Sequence, residues 1–73
     1  MRNWLIQARK DKGMKQKDVA KSVGMSAPSY HAIEQGNHYP TVPNAKKIGR
    51  TLGFNWTRFF EDVDDEVNKN ANM

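Results

Sequence analysis

The chain has 73 residues, room for one domain around one small core, and no cysteine. Without thiols it has no disulfide staple, no cysteine nucleophile and no cysteine-based zinc site, and no apolar run approaches the ~18 residues of a membrane span. The net charge of +4 is uneven: residues 1–60 hold eleven Lys and Arg against three Asp and Glu, whereas residues 61–73 hold one Lys against five acids. A basic body suits a phosphate-bearing partner, although solubility alone would also account for it. Residues 1–10 are too charged and too poor in apolar side chains for a secretory signal, so the expectation is a cytoplasmic protein with no membrane contact.

In chain order, the spacing predicts a first helix over residues 3–12, with Leu5, Ile6, Ala8 and Arg9 inward and Gly13 just past its end. A second helix over residues 15–23 carries Val19, Ala20 and Val23 on one face, with Asp18 near its start, where the helix dipole favours an acid. Gly24 ends it, because glycine takes positive φ cheaply. Ser26 is placed to cap a third helix over residues 27–35. Pro28 falls in its first turn, where a missing N–H is harmless, and Tyr30 and Ile33 point inward. Ala20 is small where two helices must approach closely. Two short helices meeting across a tight glycine turn make a helix-turn-helix, and its second helix is shaped to lie in a DNA major groove.

A loop follows at Asn37-His38-Tyr39-Pro40. Thr41 caps a fourth helix with Pro43 in its first turn. Val42, Ala45, Ile48, Gly49 and Leu52 recur at three- and four-residue steps as its inner face, while Lys46, Lys47 and Arg50 take the wet side. Gly53 stops this helix, and Asn55 can cap a fifth, in which Trp56, Phe59 and Phe60 close the core. Residues 63–73 are acidic and polar with nothing to bury, so they are expected to fray and the domain to span residues 1–62. No strand pattern, linker or internal repeat is present, and the fold class is all-α.

The marks Gly13-Met14-Lys15-Gln16, Val19-Ala20, Gly24-Met25-Ser26, Ile33-Glu34-Gln35-Gly36, Pro40-Thr41 and the run from Ile48 to Leu52-Gly53-Phe54 resemble the Xre/Cro-type helix-turn-helix domain of phage repressors and their bacterial relatives, over residues 3–60. The resemblance implies a compact, five-helix, lambda-repressor-like domain that binds double-stranded DNA, usually as a homodimer on paired half-sites. The ending from Phe54 to Asp62 is similar to small regulators of phage-derived and mobile elements in Gram-positive bacteria.

The resemblance also assigns roles. At the entry to the second helix, Lys15, Gln16 and Lys17 lie beside DNA phosphates, and Gln16 both bonds a phosphate and braces the recognition helix. Ser26, Ala27, Pro28, Ser29, His31 and Ala32 occupy the base-reading side of the third helix. This chain departs from the family's habit there: Ala27, Pro28 and Ala32 offer only apolar contact, suited to thymine methyls, and Ser29 and His31 are the polar reach. Readout per half-site should therefore be modest and helped by DNA shape. Asn37, His38 and Tyr39 belong to a loop that lies along phosphates in the family, although Tyr39 could equally pack on Pro40. Arg9 and Glu34 fall on the inner sides of their helices, and in the family the matching pair forms a partly buried ion pair.

Enzymatic and metal readings fail on spacing. His31 and His38 are seven apart, not the i, i+4 pair that puts two imidazoles on one metal. No nucleophile triad or carboxylate pair has a scaffold. The expectation is a non-enzyme without catalytic residues, metal, cofactor or small-molecule ligand. Helical spacing of Trp4, Trp56, Phe59 and Phe60 favours core or a dimer surface over base stacking. The resulting reading is a sequence-specific transcriptional regulator, a repressor of phage or mobile-element type. Its rivals are an antitoxin that binds a toxin partner and represses its own operon, and an architectural DNA protein with little sequence choice.

Overall fold

The computed structural model describes residues 1–61; the acidic tail, its expected fraying and the expected domain boundary at residue 62 lie outside the described residues. Among the described residues four α-helices of more than one turn follow one another: α1 (Asn3–Asp11), α2 (Gln16–Val23), α3 (Ala27–Gln35) and α4 (Val42–Leu52). The described residues contain no strand, and none of their helices is long and apolar enough to cross a membrane.

The fifth helix expected after Asn55 is present as a 3₁₀ helix over Trp56–Phe60. Glu61 after it has α-helical φ and ψ of −65° and −41°, and 3₁₀ turns are frequent at the ends of α-helices. Asn55 fixes its start as expected, accepting from the Thr57 backbone N–H at 3.0 Å and the Thr57 hydroxyl at 2.8 Å. The other caps also lie where their sequence signals put them. Ser26 accepts from the Ser29 N–H at 3.2 Å, and Thr41 from the Asn44 N–H at 3.3 Å. Helix α2 begins one residue later than expected, with Lys15 as N-cap and its backbone N–H donated to Asp18 at 3.0 Å.

The α2–α3 corner turns on Gly24. Gly24 takes φ 76°, the left-handed conformation that an L side chain resists, and the Met25 N–H closes back on the Ala20 carbonyl at 2.9 Å. Val19, Ala20 and Val23 from α2 and Tyr30 and Ile33 from α3 then share one core with Leu5, Ala45, Ile48, Leu52 and Phe59. Two expected core assignments need correction. Val42 is 45% exposed, because it stands in the first turn of α4, and the inward row begins only at Ala45. On α1 only Leu5 is fully buried, while Ile6, Ala8 and Arg9 are half-buried at the rim.

Aromatic rings close the far end. Trp4 meets Phe54 edge-on at 5.0 Å and Phe59 at 5.2 Å, and Phe54 meets Phe59 at 5.5 Å. Such edge-to-face pairs add about 0.5–1.5 kcal/mol each beyond burial. Arg58 and Lys46 cover the outer faces of Trp4 and Trp56. Gly49 makes this end possible: a methyl group there would stand 2.6 Å from the Phe54 carbonyl oxygen and 3.2 Å from the Trp56 backbone nitrogen.

Gly49→Ala is therefore expected to destabilise the domain. Overpacking typically costs about 1–3 kcal/mol, and the obstacle here is backbone that cannot rotate away. The gain in helix propensity, at most ~1 kcal/mol, does not offset it. A thermal melt should show Tm lowered by several degrees; an equal or higher Tm would mean that the turn after α4 is not packed against Gly49.

Candidate nucleic-acid interface

The expected recognition helix rests on a charged anchor. Glu34, on the inner side of α3, has no exposed surface. Arg9 of α1 grips it in a fork, Nε donating to Oε2 at 2.7 Å and Nη2 to Oε1 at 3.3 Å, and its third nitrogen, Nη1, donates to the Met14 carbonyl at 3.0 Å. Gln16, the first residue of α2, donates from Nε2 to Glu34 Oε1 at 2.9 Å. One carboxylate thus ties together α1, the α1–α2 turn, α2 and α3. Burial alone would raise the Glu34 carboxyl, but hydrogen bonds from Arg9 and Gln16 overcome it and hold the group below the ordinary carboxylate range. The same hydrogen bond to Glu34 raises Arg9 above its usual value.

The network continues outward. Gln16 Oε1 lies 3.2 Å from His31 Nδ1 on the exposed side of α3. Gln16 therefore braces α3 through both ends of its amide, while one N–H of its Nε2 group remains for an outside partner. Tyr30 is fully buried beside the anchor, and its hydroxyl finds no hydrogen-bond partner among the described residues. Burial, and then the adjacent Glu34 carboxylate, push its phenol far above the ordinary range.

Of the residues assigned to this surface, Ala27, Pro28, Ser29 and His31 are exposed along the N-terminal half of α3, and Ala32 is half-buried. Lys15 and Lys17 are exposed at the start of α2, on either side of Gln16. Ser26 is occupied as the α3 cap: it accepts from the Ser29 N–H and gives its own proton to Ser29 Oγ at 2.8 Å, which leaves the Ser29 hydroxyl free to donate outward. On the other flank, an open groove of about 410 Å³ brings Pro28, Ser29 and Ala32 together with His38 and Tyr39. Asn37 is exposed at the α3 terminus, its N–H bonded to the Ala32 carbonyl at 3.0 Å.

The residue that sequence reasoning missed is Arg2. Only 7% exposed, it donates from Nη1 to the Ile33 carbonyl and, at 3.0 Å, to the His38 carbonyl. Its backbone N–H reaches the Glu34 carbonyl at 2.8 Å, and its guanidinium lies 4.5 Å over the Tyr39 ring. The other partner of that ring is Phe60, stacked at 6.0 Å. Arg2 thus holds the loop after α3 in place from the chain's second residue. Its acceptors are backbone carbonyls, which carry no side-chain signature in the sequence.

Comparison with known proteins agrees with this architecture. The helix-turn-helix family model matches residues 5–59. The chain is 46% identical over 71 residues to YqaF, an uncharacterized HTH-type transcriptional regulator of Bacillus subtilis (strain 168), covering 97% of this chain and 93% of that protein. It is 34% identical over 53 residues to an uncharacterized HTH-type transcriptional regulator of Methanothermobacter thermautotrophicus, covering 73% of this chain and 77% of the relative. No solved structure matches it.

The anchor gives a pH signature. Because the folded Glu34 carboxyl sits below its unfolded value of about 4.3, its stabilising contribution is complete above that value and is lost as pH falls through the lower folded one. Denaturant-measured stability of the wild type should thus fall more steeply with acidification below about pH 4.5 than that of Glu34→Gln. Glu34→Ala, which strands Arg9, should cost about 3–5 kcal/mol at neutral pH. Parallel acid limbs for wild type and Glu34→Gln would remove Glu34 from this role.

Proposed function

The chain belongs to the Xre/Cro-type helix-turn-helix family of DNA-binding transcriptional regulators, and from that premise we propose that it is a sequence-selective repressor acting through the exposed N-terminal half of α3. The observation that carries this reading is the α3 face itself: Ala27, Pro28, Ser29 and His31 stand clear of the core on a helix whose inner side is locked to α1 and α2 through Glu34. A recognition helix needs both properties, an open face for base edges and a fixed register against its support.

The flanks support phosphate contact. Lys15 and Lys17 supply charge, the spare Gln16 N–H supplies a directed donor, and His38 and Tyr39 line the groove on the opposite side of α3, with the exposed Asn37 just before them. Sequence choice then comes from few groups: a hydroxyl on Ser29, an imidazole on His31 and apolar contact from Ala27, Pro28 and Ala32. So thin a reading surface gains most from duplication, and we assign it to two copies on half-sites about 10–10.5 base pairs apart. Repression by occupancy asks nothing of the protein beyond this binding surface, and a phage or mobile-element setting is the one we favour.

Selection from random duplex DNA tests the reading. The wild type should enrich a motif. Ala27→Arg adds a fork suited to guanine O6 and N7, worth about 1–3 kcal/mol where guanine is in reach, and should move one position of each half-site toward guanine. Lys46→Ala, on the outer side of α4, should leave the motif unchanged. An identical motif for wild type and Ala27→Arg, together with one altered by Lys46→Ala, would place recognition on the wrong helix; no enrichment at all would refute DNA selectivity.

A further inference from the structure

The hydrogen-bond chain that starts at Arg9 has a chemical direction. A guanidinium can only donate, so Arg9 faces Glu34 with N–H groups, and the Glu34 carboxylate, gripped in that fork, can only accept. Gln16 must then turn its NH₂ toward Glu34, at 2.9 Å, and its carbonyl oxygen is the atom left facing His31. That oxygen is an acceptor, so the ring nitrogen 3.2 Å away, Nδ1, must carry a proton. In a neutral imidazole one nitrogen donates and the other accepts. No described residue bonds Nε2, and the ring is exposed on the outer side of α3.

We infer that His31 is a specificity-determining residue whose Nε2 is held as a hydrogen-bond acceptor by the chain Arg9–Glu34–Gln16–His31, so that it selects a base bearing an exocyclic amine, adenine or cytosine, in the major groove. The inference rests on the proposed seating of α3 against base edges. The groove offers two amine donors, adenine N6 and cytosine N4, while guanine O6 and N7 and thymine O4 are acceptors. An acceptor at Nε2 pairs with the first set and faces the second lone pair to lone pair. With Nε2–H the preference would invert. The buried ion pair thus reaches the reading face through the tautomer it imposes.

The test has two arms on the full chain. In ¹⁵N-labelled free protein, at a pH where the histidine spectrum itself shows a neutral ring, His31 should show a protonated Nδ1 and an unprotonated Nε2, with His38→Gln used to assign the signals. Gln16→Met should release the ring toward a mixture of tautomers. A predominantly Nε2-protonated His31 in the wild type overturns the inference without reference to DNA.

In the second arm, the base pair whose preference disappears in His31→Ala is located by selection from random duplexes. Removing the amine there, with purine in place of adenine or pyrimidinone in place of cytosine, should weaken wild-type binding several-fold, up to about tenfold. The same change should leave His31→Ala unaffected. A comparable loss on removing an acceptor instead, as with 7-deazaguanine, overturns the inference, as does a selected motif that is indifferent to His31; in both cases DNA selectivity itself survives. Failure to enrich any motif refutes the parent reading and takes this one with it.

Discussion

A carboxylate with no surface in water stands where α1, α2 and α3 meet, and the geometry outward of it depends on how its charge is satisfied. An unpaired buried carboxylate would cost several kcal/mol. Glu34 avoids that cost only when Arg9 approaches in the plane of its two oxygens and Gln16 supplies a further donor. Each donor comes from a different helix. Satisfying one side chain therefore fixes the angle of α3 against α1 and brings the entry of α2 beside the exposed face of α3. Apolar burial of Val19, Ile33, Ile48 and Phe59 supplies driving force, but it is non-directional and tolerates small rotations. The fork does not, since hydrogen bonds weaken steeply as they misalign.

The two ends of the domain are built on different principles. At the α2–α3 end, polar groups are directional and their outward atoms remain free: a hydroxyl on Ser29, an amide N–H on Gln16 and a ring nitrogen on His31. At the opposite end, rings of Trp4, Phe54 and Phe59 pack on one another, with Arg58 and Lys46 spread over aromatic faces. Arg2 and Tyr39 join the two, since Tyr39 stacks on Phe60 while Arg2 links it to the carbonyls of α3 and its following loop. The loop after α3 is thus held by Arg2 and by the Tyr39–Phe60 stack.

Much of this was legible in sequence because the signals are local. Ser26, Thr41 and Asn55 cap residues two or three positions away, Gly24 marks its own turn, and the apolar steps of α2 and α4 define their faces. The pairing of Arg9 with Glu34 was legible only through family resemblance, since the two are 25 residues apart. Nothing in the sequence advertised Arg2, whose partners are carbonyls 31 and 36 residues away; the family resemblance implied that Gln16 braces the third helix, but not that His31 is its partner there. Val42 was misassigned because helical periodicity says which side faces inward but not where along the helix the core begins.

The central claim is that the charged anchor presents one surface, made of the start of α2, the exposed half of α3 and the loop after it, to DNA. Amide chemical-shift mapping of the ¹⁵N-labelled chain titrated with a duplex carrying its selected motif tests this most directly. The account predicts the largest changes at residues 15–17, 26–32 and 37–39, with the amides around Trp4 and Phe59 little moved. Changes centred instead on α4 and the 3₁₀ segment, with the first half of α3 undisturbed, would contradict it.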